Sequence, residues 1–173
     1  MTVGRWIEEG KLPYFTTGGG HRRVWEEDLV KFLKAHNYPI PKNLKSSLRP
    51  LLLIVDDEAS VRRMIRRALE KEIPEIEIDE AIDGYEAGEK ISSLAPSVVI
   101  LDINLPGVDG FKICERIRLN KALKNVKVLS VTGDPAAGIK ERILKSGADD
   151  FLAKPFEVVD LVKIVRKLIG ASK

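Results

Sequence analysis

Cysteine is nearly absent from this sequence: Cys114 is the only one in 173 residues. A single thiol excludes an internal disulfide, so nothing ties the fold to an oxidising compartment. No apolar run approaches the roughly 18 residues that a membrane-spanning helix requires. The first ten residues are polar and lack the apolar core of a secretory signal. There is also no internal repeat and no low-complexity tract. The chain therefore reads as cytoplasmic and globular, with no membrane partner. Its apolar (44%) and charged (32%) fractions are ordinary for that class. Its length fits one domain, or a standard domain with a small one beside it.

The net charge of +3 hides an asymmetry. Residues 1–50 hold nine Lys and Arg against five Asp and Glu, whereas the rest hold twenty against twenty-one. The excess of basic residues lies in the first third, which favours a nucleic-acid partner there. Residues 37–50 carry Pro39, Pro41 and Pro50 among polar residues and read as an extended linker.

Beyond that linker, apolar runs alternate with helix-length segments. Leu51–Val55 is wholly apolar, as a central parallel strand covered on both faces should be. Val61, Met64, Ile65, Ala68 and Leu69 recur at helical spacing. Glu75–Ala81 mixes charged with apolar residues and predicts an edge strand. Helices are expected over Asp83–Ser93, Gly110–Arg118, Pro135–Ser146 and Val158–Ile169. Strands are expected over Ser97–Asp102, Val126–Thr132 and Asp149–Ala153. Five such units in about 120 residues predict an α/β fold, a five-stranded doubly wound parallel sheet with helices on both faces.

In such a sheet the carboxyl ends of the strands share one rim. Asp56 and Asp57 follow the first strand, Asp102 closes the third, Thr132 closes the fourth, and Lys154 follows the fifth. Three carboxylates side by side repel one another, and a bound Mg²⁺ relieves that with hard oxygen ligands. A carboxylate on the rim can attack phosphorus while Lys154 and the metal neutralise the phosphoryl oxygens. Gly133 leaves room for the incoming group.

The motifs Leu-Ile-Val-Asp-Asp-Glu, Asp102-Ile-Asn-Leu-Pro-Gly-Val-Asp-Gly110, Val131-Thr-Gly and Gly147-Ala-Asp-Asp-Phe-Leu-Ala-Lys-Pro-Phe156 resemble the receiver domain of two-component response regulators. The resemblance spans about residues 51–170 and implies a flavodoxin-like sheet. It implies that Asp102 is the phospho-acceptor and that Asp57 ligates Mg²⁺ directly, with Asp56 acting largely through a metal-bound water. The backbone carbonyl of Asn104 would complete the protein's share of the coordination. Thr132 would be the hydroxyl switch, Phe151 the coupled aromatic switch, and Lys154 the partner of the phosphoryl oxygens. The Lys154–Pro155 peptide is expected to be cis. A sensor histidine kinase or phosphotransfer protein would donate the phosphoryl group, altering self-association through a surface around the receiver's fourth helix and fifth strand. Such a protein is a phospho-acceptor that slowly dephosphorylates itself, not an enzyme of general turnover. In the family, the residues two beyond the acceptor and the switch threonine tune hydrolysis. Asn104 and Asp134, both polar, imply a short-lived phosphoryl state.

In residues 1–36, Arg5-Trp6-Ile7-Glu-Glu-Gly-Lys-Leu-Pro13, Thr17-Gly-Gly-Gly-His-Arg-Arg-Val24 and Glu27-Asp-Leu-Val-Lys-Phe-Leu33 resemble the helix-turn-helix and wing of excisionase-like and MerR-type DNA-binding domains. The resemblance begins at the recognition helix (Thr2–Glu9), without the helix that usually precedes it, and Thr16 stands where the family often has Arg. Gly18–Gly20 permits a tight hairpin. Arg5, His21, Arg22 and Arg23 would then meet DNA, while Trp6 and Trp25 would add bulk to a small core.

Two smaller expectations concern the remaining motifs. Cys114 shares a helical face with Phe111 and Ile117 and reads as a core residue. The run Arg62, Arg63, Arg66 and Arg67 reads as a solvated face or as a docking surface for a phosphotransfer domain. The functional alternatives are a DNA-binding response regulator and a receiver that relays phosphate or switches a protein partner without DNA binding. An aspartyl-phosphate hydrolase of the haloacid dehalogenase type needs Asp-x-Asp after its first strand. This chain has Asp56-Asp57-Glu58 there, and Asn104 two beyond Asp102.

Overall fold

The computed structural model of the chain describes residues 2–41, 44, 49–133 and 138–171. It divides into two compact units at Arg49 and Pro50.

The first unit is small. Helix α1 (Val3–Glu8) is followed by a hairpin of β1 (Phe15–Thr16) and β2 (Arg22–Arg23), paired antiparallel, and by helix α2 (Glu26–Ala35). Gly20 turns the hairpin at φ +77°, a left-handed conformation that glycine adopts without steric cost. Trp6, Ile7, Leu12, Phe32 and Leu33 form the core. The rings of Trp6 and Phe32 meet at 4.7 Å.

Two expectations change here. Trp25 is 63% exposed and stacks on Phe15 at 4.6 Å instead of filling the core. It sits at the N-cap of α2, outside the apolar stripe of that helix, so its ring is left on the surface. In addition, Ile40 and Leu44, from the stretch read as linker, pack against the core, and Tyr38 meets Trp6 at 5.3 Å. Residues 2–36 hold too few apolar side chains to close the core, and the next stretch supplies the rest.

In the second unit, five parallel strands stand in the order β4-β3-β5-β6-β7. They are β3 (Leu51–Val55), β4 (Glu77–Ala81), β5 (Val98–Asp102), β6 (Lys127–Thr132) and β7 (Asp150–Ala153). The helices are α3 (Ala59–Glu72), α4 (Gly84–Leu94), α5 (Gly110–Leu119), α6 (Ile139–Lys145) and α7 (Val158–Ala171), with a 3₁₀ turn at Lys121–Leu123. Successive strand residues face opposite sides. Leu52, Ile54, Ile100 and Leu129 meet Ile65 and Leu69 of α3 and Leu161 and Val165 of α7. Leu53, Val55, Leu101 and Val128 meet Ile91 of α4, Ile117 of α5 and Ile143 of α6. Both faces are therefore covered, which is why β3, and β5 up to Asp102, are apolar at every position. The charged strand β4 is an edge, as its composition predicts. Cys114 lies within the core, and burial pushes its thiol up to about 12. The expected start of the helix at Pro135, like Asp134, lies outside the described residues; the described part of α6 begins at Ile139 after Gly138.

A staple invisible to pattern reading closes the amino-terminal side of the sheet. Arg118 donates to the carbonyls of Gly147 (2.7 Å) and Val126 (2.8 Å) and to Asp149 (2.6 Å). The other oxygen of Asp149 takes Lys127 at 3.1 Å.

The loop leaving Asp102 returns tightly at Gly110. A Cβ there would lie 2.7 Å from Ile103 Cα and 3.0 Å from its carbonyl oxygen, both backbone atoms. Gly110→Ala should therefore cost about 1–3 kcal/mol, as overpacking against atoms that cannot rotate away does. The check is a lower urea midpoint at unchanged m-value.

Candidate functional site

Four loops at the carboxyl rim build one polar pocket. Asp56 is 2% exposed, and its Oδ1 accepts from the backbone N–H of Glu58 at 2.9 Å. Asp102 is 6% exposed, and its Oδ1 accepts from the N–H of Asn104 at 2.9 Å. Lys154 reaches in from beyond β7, its Nζ lying 2.7 Å from Asp56 Oδ2 and 2.6 Å from Asp102 Oδ2. The backbone holds it there: Lys154 N–H donates to the carbonyl of Thr132 at 2.8 Å, and the Lys154–Pro155 peptide is cis. Thr132 is buried, and its Oγ1 accepts from Asn104 Nδ2 at 3.1 Å. Phe151 lies in register with Ser130 and packs, half-buried, against the core that includes Ile143 of α6.

Asp57 completes the acidic group. One carboxylate oxygen from each of Asp56, Asp57 and Asp102 lies within 4.8 Å of the others. Asp57 is exposed, and its carboxylate makes no hydrogen bond or ion pair among the described residues. Burial raises the pKa of Asp56 against the pull of Lys154 and the Glu58 N–H. Burial also works against the charge on Lys154, but its bonds to Asp102 and Asp56 outweigh that and raise its pKa. One ammonium thus serves two carboxylates, and a third, exposed, stands beside them. The donor set is all oxygen, which suits a hard divalent cation better than a soft one.

The basic run on α3 divides into two fates. Arg62 and Arg66 are not a solvated face: their Nε atoms bind the two oxygens of Glu80 on β4. Arg62 Nη1 also reaches the carbonyls of Asp56 and Asp57. Arg63 and Arg67 remain exposed and line a shallow groove with Met64, Lys71 and Val158. The role of Arg62 and Glu80 was not legible in the sequence. The available signal is an Arg five residues after Asp57, beside a carboxylate one residue from the end of the neighbouring strand.

The candidate DNA-binding residues of the first unit all lie on the surface. Arg5 pairs with Glu9 at 2.9 Å. Arg22 lies 3.9 Å from Glu8, which sets the hairpin beside α1, and 5.3 Å from the centre of the Tyr14 ring. His21 and Arg23 are exposed.

Residues 52–166 match the family model described as the response regulator receiver domain. This chain belongs to the response regulator receiver family. It is 32% identical over 120 residues to the DNA-binding dual master transcriptional regulator RpaA of Synechocystis sp. (strain ATCC 27184 / PCC 6803 / Kazusa), covering 69% of this chain and 49% of that protein. It is 36% identical over 118 residues to the transcriptional regulatory protein ResD of Bacillus subtilis (strain 168), covering 68% and 47%. The chain thus spans about half the length of the curated relatives it matches. Among solved structures, the signal receiver domain of a DNA-binding response regulator (merR) from Colwellia psychrerythraea 34H superposes with a TM-score of 0.66 at 32% identity, covering 69% of this chain and 98% of that one. The second unit therefore has a receiver fold, and receiver domains bind Mg²⁺ at an acidic pocket like the one formed by Asp56, Asp57 and Asp102. No helix among the described residues is long and apolar enough to cross a membrane.

Two outcomes test the electrostatics. The raised pKa of Asp56 means that its ionised form costs stability at neutral pH. Asp56→Asn should raise the unfolding temperature of the receiver, measured by thermal unfolding in chelator. Glu80 behaves oppositely: burial raises its pKa, but Arg66 and Arg62 outweigh that and hold it below the usual 4.5. Its stabilisation is therefore present above pH 4.5 and is lost as the pH falls through the depressed folded value. Urea unfolding across that range should show a flatter acid limb for Glu80→Gln than for the parent.

Proposed function

We propose that the chain is a two-component response regulator in which a sensor histidine kinase or phosphotransfer protein phosphorylates Asp102 and the phosphoryl state governs DNA binding by the first unit. The observation that carries this reading is the Lys154 ammonium bridging Asp56 and Asp102, beside the exposed carboxylate of Asp57. Asp56, Asp57 and Asp102, with the backbone carbonyl of Asn104, would hold Mg²⁺. When bound, the cation supplies positive charge to the phosphoryl oxygens.

This chain's own residues do the rest. A carboxylate oxygen of Asp102 attacks phosphorus. An O–P bond forms, the P–N bond of the donor phosphohistidine breaks, and the imidazole leaves. Lys154 already lies 2.6 Å from Asp102 Oδ2 and can answer the added negative charge. The Thr132 hydroxyl exchanges Asn104 Nδ2 for a phosphoryl oxygen, and Phe151 follows it beneath α6. The surface of α6 and β7 then changes, altering self-association or releasing the first unit. Asn104, engaged with Thr132, flanks Asp102 where an attacking water would approach, which favours a short phosphoryl lifetime. The exposed Arg5, His21, Arg22 and Arg23 would meet DNA. The basic excess of the first unit and the hairpin held beside α1 support that output.

Asp102→Asn should abolish phosphate incorporation from a kinase or from acetyl phosphate; a variant that still takes up label would refute the assignment. For the output, the assay is anisotropy of a labelled duplex at low salt, with and without Mg²⁺ and beryllofluoride. Binding should change on beryllofluoride addition. Replacing Arg22 and Arg23 by Ala should weaken it and flatten the salt dependence by about two units of slope, one per lost phosphate contact. Absence of binding in both states would leave a receiver that relays phosphate or switches a protein partner.

A further inference from the structure

Arg62 lies in the first turn of α3, and its side chain is 11% exposed. Its Nη1 donates to the carbonyl oxygens of Asp56 (2.7 Å) and Asp57 (3.1 Å), and its Nε donates to Glu80 Oε2 (3.0 Å). Glu80 is itself fixed: Arg66 takes its other oxygen, and Lys90 Nζ donates to its backbone carbonyl. The loop that carries two of the three carboxylates is thereby tied, through one guanidinium, to the edge strand.

That tie matters differently for each carboxylate. Asp56 is held by Lys154 and the Glu58 N–H, and Asp102 by Lys154 and the Asn104 N–H. The Asp57 carboxylate has no such partner among the described residues, so its direction is set by its backbone. Arg62 is the side chain that pins that backbone. Glu80, with Glu70 also taking Arg66 at 3.4 Å, offsets the charge of the two arginines, so the Arg62 guanidinium can act by geometry with little repulsion of a cation held by the same loop. The arrangement needs a planar fork with several donors, which a lysine ammonium does not offer.

We infer that Arg62 is a positioning residue for the divalent cation: it fixes the Asp56–Asp57 backbone so that Asp57 is ready to ligate. This inference rests on the proposed reading of the three aspartates as a cation site. Groups one shell removed from a metal commonly change its affinity by about 10–100-fold.

The test is calorimetric titration of the full chain with MgCl₂, for the parent, Arg62→Met, Arg62→Lys and Arg66→Met. Phosphorylation by acetyl phosphate is followed in parallel as Mg²⁺ is varied. Arg62→Met should raise the Mg²⁺ Kd by about tenfold, while the phosphorylation rate at saturating Mg²⁺ stays near that of the parent. Arg66→Met is the control for lost packing and charge, because Arg66 shares Glu80 but touches neither aspartate carbonyl; its Kd should match the parent. An unchanged Kd in Arg62→Met, or an equal loss in Arg66→Met, would overturn the inference. Should Arg62→Met fail to fold, Arg62→Lys answers the same question: a raised Kd supports the role and an unchanged one overturns it. A parent chain that binds no Mg²⁺ would instead overturn the cation-site reading, and the inference with it.

Discussion

One shared ammonium holds the site together. Two like charges about 4 Å apart repel by about 4 kcal/mol at the effective dielectric near a protein surface, so two buried aspartates cannot sit together without an answering charge. Lys154 supplies it to both. Its partners lie 98 and 52 residues away in sequence, so that three different strand ends meet at one ammonium. The contact therefore exists only when β3, β5, β6 and β7 stand in the observed order. A one-residue slip of any of them would turn its side chains to the other face. The apolar strands and the two helical layers are, in this sense, the means of keeping three strand ends in register.

The same arrangement engages the pocket's donors with one another. Lys154 spends its donors on carboxylates, and the Thr132 hydroxyl accepts from Asn104. In the proposed reaction both groups exchange these partners for phosphoryl oxygens. No new contact has to be built from nothing: Lys154 trades one charge-assisted bond for another, and the Thr132 hydroxyl trades a neutral partner for a charge-assisted one. A switch of this kind needs only a few kcal/mol of difference between its states. Replacing good internal bonds with better ones keeps the difference in that range. It also explains why a pocket with a raised-pKa aspartate persists in an otherwise well-packed core: local rules are broken where the chemistry requires it.

Much of this was legible in the sequence, for identifiable reasons. Leu51–Val55 could only be a strand covered on both faces, and the charged Glu77–Ala81 only an edge. With the strand ends placed, Asp56, Asp102, Thr132 and Lys154 had to converge. What escaped were contacts that depend on rotamers or on pairing register. Arg62 and Glu80 meet because β3 pairs with β4 so that Ile54 stands opposite Glu80. Spacing along one helix does not reveal that, so the four arginines looked alike. Trp25 looked like core because tryptophan usually is, yet its place at a helix start leaves it on the surface. Ile40 and Leu44 looked like linker because proline surrounds them, but a core as small as that of Trp6 and Phe32 takes any apolar side chain within reach.

The first unit obeys a different economy. Its arginines are not idle: Arg22 of the hairpin has Glu8 and Tyr14, and Arg5 of α1 has Glu9. All four charged partners sit largely in solvent, where such pairs add little to stability. A phosphate backbone offers each arginine a denser field of acceptors and releases counterions as it binds. The internal pairs therefore orient the arginines at small cost and yield readily. Under the proposed reading, Glu8, 3.9 Å from Arg22, would give way to a polyanion without unfolding the core behind it. The strong ties in this protein are buried in the receiver, where geometry must persist. The weak ones lie on α1 and the hairpin, where, under the proposed reading, a partner would displace them.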